Sequence, residues 1–347
     1  MLKILHLLAS SQPAGAQRVA IDLASGLAAD YSVGYASPKG PIAELLQSNQ
    51  IPFLPLHSMS LHEITRVVSA FQADIVHAHD FRASTVAALL PKKARLVSHL
   101  HSNWPWARSI NFRTLAYRAA LSRLARVIVV SRSIVDEYAF QRALRRKARV
   151  IANVVHGDRI TMHAQETEHE PFDLGFVGRL EPQKNPILFL RIVKLVKNQI
   201  GRVRAVIVGS GTMESECRCQ IAELGLVDDV LMAGYQRNPY TYMRCSRMLA
   251  VPSKHEGFGL VALEAMLLGV PVLASATGGL MELVNSSGGG AICQSPEEFA
   301  TKAVEWLKQG DLRRQLGARA RTWAQRHSDV NAYLDQFRDL YASLFES

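Results

Sequence analysis

The chain has 347 residues, 48% of them hydrophobic and 20% charged, with a formal net charge of +10. That is apolar material for two α/β domains of ordinary size, and it excludes a disordered or low-complexity chain. The charge is unevenly placed: residues 1–150 hold 19 Lys and Arg against 8 Asp and Glu, whereas residues 151–347 hold 21 against 22. A basic first half suits an anionic membrane surface or an acidic acceptor. Aromatic residues do not alternate with the cations as on a base-stacking platform, so no nucleic-acid partner is expected.

The start, Met1-Leu2-Lys3 followed by an apolar run to Ala9, is too short for a signal peptide and leads straight into a glycine loop; it reads as a first strand. No apolar stretch approaches transmembrane length. Cysteines at 217, 219, 245 and 293 match neither a zinc spacing nor a disulfide framework. They are expected to be small buried hydrophobes of a reducing, cytoplasmic compartment.

Apolar β-type runs fall at residues 4–8, 33–36, 52–56, 75–78, 96–100, 127–130 and 150–154, with helical patterns between most of them, as at 16–29 and 113–125. The theme repeats at 174–177, 205–208, 230–233, 248–251, 270–274 and 291–293. Alternating strands and helices predict an α/β protein with doubly wound parallel sheets, one in each half. Residues 157–171 are polar, with Glu166, Glu168 and Glu170, and are expected to link the halves. The predicted division is 1–160, 161–329 and a last helix at 330–347. Ligands of such sheets bind beyond the carboxyl ends of the strands, so the loops there carry the candidate site.

The loop at residues 10–17, with Gly15 followed by Ala16, joins the first strand to a helix. Two later strand ends carry histidines: His77 and His79, then His99 and His101. Alternation puts His99 and His101 on one side of their strand. Trp104 and Trp106 follow, as an acceptor wall or as core. Arg142, Arg145, Arg146, Lys147 and Arg149 are nearly contiguous and form either a solvated helix face or an interfacial one. Gly178-Arg179 and Lys184 follow the first strand of the second half, and Gly209 ends its second.

Residues 252–264 are the most informative stretch. A strand ends at Pro252, a polar loop follows, and an apolar helical pattern opens at about Phe258. Gly257 and Gly259 lack a Cβ, so the amides around them, with those of Leu260 beyond, can approach a bulky anion at a helix N-terminus. Glu256 before the helix and Glu264 two turns into it would repel a phosphate; they make sense as acceptors for hydroxyl groups at its two ends. A ligand with hydroxyls on both sides of a diphosphate is a nucleotide sugar.

The same stretch resembles the Glu-x7-Glu signature of retaining glycosyltransferase family 4. Pro252-Ser253, Glu256-Gly-Phe-Gly, Leu263-Glu264-Ala265-Met266, Gly269-Val-Pro-Val and Gly278-Gly279 stand in that family's order. The resemblance implies the GT-B fold, two Rossmann-like domains facing across a cleft, with the last helix returning to the first domain. It implies that Arg179 and Lys184, beside Gly178, clamp a diphosphate, that Glu256 holds the sugar and Glu264 the ribose, and that the turn at Gly209 and the backbone at Tyr235 line the nucleotide side. His101 matches the histidine that reaches the donor sugar, with His99 as the register alternative. Gly15 falls where the family usually has two glycines; Ala16 replaces the second, which restricts how closely the backbone approaches a ligand. The implied activity is transfer of a sugar, with retention, from a UDP- or GDP-sugar to a glycan or lipid-linked acceptor at the inner face of a membrane, in surface-polysaccharide or lipopolysaccharide assembly. There is no Asp-x-Asp motif, so no essential metal and no further cofactor are expected. An epimerase or hydrolase on the same fold, and a binding protein without chemistry, are the alternatives.

Overall fold

The structure is a computed structural model and describes residues 1–166 and 169–346; Glu168 of the expected linker lies outside the described residues. The chain forms two compact units, Met1–Asn153 joined by the chain from Asn331 on, and Val154–Val330.

The first unit is built on seven parallel strands: β1 (Lys3–Leu7), β2 (Ser32–Pro38), β3 (Phe53–Leu56), β4 (Ile75–Ala78), β5 (Arg95–Leu100), β6 (Arg126–Val129) and β7 (Ala148–Val150). Their order is β3-β2-β1-β4-β5-β6-β7. Helices cover both faces of such a sheet, which is why strands such as β1 read as continuous apolar runs rather than alternating ones. Ile4, Leu5 and Leu7 are fully buried. The helix Val330–Ala342 sets Phe337 and Tyr341, both fully buried, into this unit. Arg338 on the same helix pairs with Asp30 at 2.8 Å.

The second unit has six parallel strands: β8 (Leu174–Val177), β9 (Ala205–Val208), β10 (Val230–Gly234), β11 (Leu249–Val251), β12 (Val272–Ser275) and β13 (Gly290–Cys293). Their order is β10-β9-β8-β11-β12-β13. The core joins Phe176, Phe189 and Val193 to Phe299 and Trp306, all buried. The helix Gly157–His163, on residues read from sequence as linker, belongs to this unit. Arg244 donates to the Ala164 carbonyl at 2.8 Å and Asn238 to the His163 carbonyl at 2.8 Å, so the segment's free carbonyls are satisfied there.

In each sheet the winding reverses once, between β1 and β4 and between β8 and β11, and the loops after those strands are where a doubly wound sheet leaves room for a ligand. Of the four cysteines, none disulfide-bonded, Cys217 and Cys293 are buried as expected, but Cys219 is exposed: it lies on the helix Glu214–Glu223, whose buried side carries Cys217 and Ile221. Among the described residues no helix is long and apolar enough to cross a membrane.

Candidate active site

The loops at the carboxyl edge of the second sheet are stitched together by backbone bonds. Gly178 N–H donates to the Val208 carbonyl at 3.0 Å, and Leu180 N–H to the Ser210 carbonyl at 2.9 Å, tying the loop after β8 to the loop after β9. Gly209, between them, has φ +140°, and a Cβ there would stand 1.9 Å from the Gly178 carbonyl oxygen. The obstacle is backbone, which cannot swing aside. Gly209→Ala is therefore expected to lower stability by roughly 3 kcal/mol, from left-handed strain plus a clash. Thermal denaturation checks this, and a melting temperature within a degree of the parent would refute it.

The loop after β11 is tied to the same place. Lys254 N–H donates to the Gln183 carbonyl at 2.8 Å, and the Gln183 amide donates to the His255 carbonyl at 3.2 Å. Those two bonds bring Lys184 and Glu256, 72 positions apart, into an ion pair, with the Ser253 hydroxyl 3.4 Å from the same carboxylate oxygen. Both side chains are mostly buried, 19% and 13% exposed, so the pair is little screened. Arg179 is exposed and, among the described residues, has no carboxylate partner. Its guanidinium fork is available to an anion.

The helix Leu260–Leu267 starts after Gly259, whose φ of +100° is a left-handed value that turns the chain into the helix. Its first amides have no partner within the helix and, with the dipole, face the loop that holds Glu256. Gly279 N–H donates to the Glu256 carbonyl at 3.0 Å and holds that loop down. Glu264 is only 3% exposed and accepts from the Tyr240 hydroxyl at 3.3 Å. The fold thus gathers Gly178, Arg179, Lys184, Gly209, Glu256, Gly257, Phe258, Gly259, Leu260 and Glu264 at one sheet edge. Tyr235 follows Gly234 of β10 and is 74% exposed. Sequence reasoning missed Tyr240 and Gln183, which act on the site through contacts from other loops and carry no local signature.

In the first unit, Gly15 begins the helix Gly15–Leu27. His101 follows β5 and belongs to a cluster of five histidines. His6 of β1 is register partner of His77 on β4, and β5 lies on the other side of β4. Two-residue alternation then sets His79, His99 and His101 on the same face. His101 Nε2 lies 3.1 Å from His79 Nδ1, and His79 Nε2 lies 2.9 Å from His6 Nδ1; His77 Nδ1 meets the Tyr341 hydroxyl at 2.6 Å. Burial pushes His6 and His101 down to about 3 and the other three well below the ordinary value, so all five are neutral at pH 7. Nitrogens of His6, His77 and His79, and of His79, His99 and His101, lie within 4.8 Å of one another, and either triplet has the chemistry to ligate a metal ion. His6 was missed from sequence, although it interrupts the apolar run that follows Lys3 in β1. Trp106 packs edge-on against Phe81, with ring centres 5.1 Å apart, while Trp104 is 39% exposed.

Comparison with known proteins agrees with this architecture. The model of the family described as glycosyl transferases group 1 matches residues 158–323, and that of glycosyltransferase family 4 matches residues 13–159. A D-inositol 3-phosphate glycosyltransferase of Streptomyces griseus is 34% identical over 164 residues, 43% of this chain and 34% of that protein. For the next two curated relatives the matched part is 43% and 58% of their length. The crystal structure of Anabaena Alr3699/HepE in complex with UDP-glucose superposes with a TM-score of 0.84 at 23% identity, covering 99% of this chain and 100% of that one. WaaG, described as a glycosyltransferase involved in lipopolysaccharide biosynthesis, gives 0.71 at 16% identity, over 99% and 100%.

Proposed function

This chain belongs to the family 4, or group 1, glycosyltransferases, and we propose that it transfers a sugar with retention from a nucleotide sugar to an acceptor hydroxyl. The observation that carries the reading is the second unit's sheet edge, where Arg179, without a carboxylate partner among the described residues, the Lys184–Glu256 pair and a helix N-terminus meet. Arg179, Lys184 and the helix amides take the diphosphate. Charge on that group grows as the glycosidic bond breaks, so they act most strongly on the departing nucleoside diphosphate. Positive groups of the protein supply that stabilisation, and no divalent ion is needed for it. Glu256 accepts from the sugar hydroxyls and Glu264 from the ribose. UDP is the favoured nucleotide, since the Anabaena neighbour is described with UDP-glucose.

In the transfer the bond from the anomeric carbon to phosphate oxygen breaks and a bond to the acceptor oxygen forms on the same face. The leaving phosphate takes the acceptor's proton. His101, which the resemblance assigns to the donor sugar and the reaction centre, is neutral at pH 7 and orients by hydrogen bonding rather than by holding a proton. The acceptor is a glycan or a lipid-linked glycan, met by the basic first unit at the inner face of an anionic membrane in surface-polysaccharide or lipopolysaccharide assembly. Labelled UDP-glucose incubated with candidate acceptors, with the anomeric configuration of the product read by NMR, tests the reaction. Arg179→Ala, which breaks no ion pair, is expected to lower turnover about a hundredfold while affinity for the intact donor falls far less. A loss confined to donor affinity would remove the transition-state role.

A further inference from the structure

The amino edge of the first sheet carries a cavity of about 1100 Å³, lined by eight lysine and arginine side chains and, among the described residues, by no carboxylate. Its origin is topological. Parallel strands bring their starts to one edge, and in this chain the residues at and just before the starts of β5, β6 and β7 are basic. Arg95 opens β5, Arg126 opens β6, Arg149 lies in β7, and Arg123 and Lys147 come just before β6 and β7. β5, β6 and β7 are neighbours, so these cations are neighbours too. The C-terminal segment completes the wall: Phe345 lies under the Arg95 guanidinium, 5.8 Å from ring centre to guanidinium carbon.

Several of these side chains are fixed. Arg123 donates to the Ala88 and Leu90 carbonyls at 3.3 and 2.9 Å, and Lys147 to the Leu124 carbonyl at 2.6 Å. None of the eight is in an ion pair among the described residues, although surface cations elsewhere in this unit, such as Arg66, Arg108 and Arg145, are paired. Burial and the Arg126 charge pull the Lys147 ammonium below its ordinary value. A solvated basic face holds its cations apart on a convex surface; here they converge on a concavity with no countercharge, and each raises the cost of its neighbours.

We infer that this cavity is a second anion site, for a ligand carrying two or more phosphate groups. Guanidinium forks and ammonium groups together match several closely spaced phosphate oxygens, which a single carboxylate would leave mostly unmet. The site is separate from the one proposed for sugar transfer and does not rest on that reading. Arg95 opens β5 and His101 follows its end, six residues on, about 20 Å at ~3.3 Å per residue. The phosphates belong either to a soluble polyphosphate or to a lipid headgroup.

The test is titration calorimetry of the full chain with inorganic tripolyphosphate, beside co-sedimentation with phosphatidylcholine vesicles containing cardiolipin. Each is run on the parent, on Arg95→Gln/Arg126→Gln/Arg149→Gln, and on a control of equal charge outside the cavity, Arg82→Gln/Arg113→Gln/Arg118→Gln. The cavity variant is expected to bind at least about tenfold more weakly than the control, and its UDP affinity to stay within twofold of the parent. Loss of tripolyphosphate binding identifies a soluble ligand; loss of vesicle binding alone identifies a headgroup. Absence of binding to both probes by the parent, or equal weakening in both variants, overturns the inference. UDP binding reports separately on the second unit, so failure of the transfer reading would leave this result interpretable.

Discussion

Glu256→Gln is expected to reduce sugar transfer by about a thousandfold while affinity for free UDP is unchanged or improved. The substitution keeps size and hydrogen-bonding capacity but removes the charge that, in the proposed reaction, faces the sugar as it becomes positive. It also releases Lys184, whose ammonium is paired with Glu256, and a freed ammonium favours a diphosphate. Glu264→Gln should act differently. Its carboxylate is buried with the Tyr240 hydroxyl, so replacement is expected to weaken free UDP and UDP-sugar alike, by about tenfold for one charged hydrogen bond. Calorimetry of both variants with UDP, beside transfer rates with the full donor, decides between them. Equal loss of free-UDP affinity in both would end the assignment of separate sugar and ribose roles.

The first unit is expected to unfold in mild acid. His6, His77, His79 and His99 are at most 1% exposed, and burial holds each imidazole far below the ordinary 6.5. Below that value the unfolded chain binds more protons than the folded one, so stability is full above about pH 6.5 and is lost as the pH falls. From pH 7 to about pH 5.5 the loss is on the order of 1 kcal/mol for a histidine that stays neutral in the fold, and several such residues together reach a large part of a domain's whole stability. Urea denaturation across that range, followed by tyrosine and tryptophan signals, gives the number of protons taken up. His99→Phe, which replaces a ring lacking partners on both nitrogens by an apolar one, should lower that number by one and raise acid stability. Stability that is flat between pH 7 and 5.5 would refute the neutral, buried cluster.

The sequence by itself determined the fold class and the place of nearly every strand. Parallel strands buried on both faces must be short apolar runs, and runs such as 75–78 and 205–208 coincide with β4 and β9. It also determined that a helix opens after the glycines of the loop behind β11, because the left-handed turn into that helix needs glycine, a local requirement written in local sequence. The helix Gly157–His163 was not legible: it is short, polar and uncapped by side chains, and docking on two other helices stabilises it. Only the tertiary structure decided that Lys184 and Glu256 are bonded to each other, that Tyr240 meets Glu264, that His6 joins four histidines in and just after β4 and β5, and that cations from three strand starts converge on one cavity. Each of these joins residues brought together by strand order and loop stitching. A parallel sheet places such residues side by side across tens of positions of chain, and no periodicity in the sequence records which strand lies next to which.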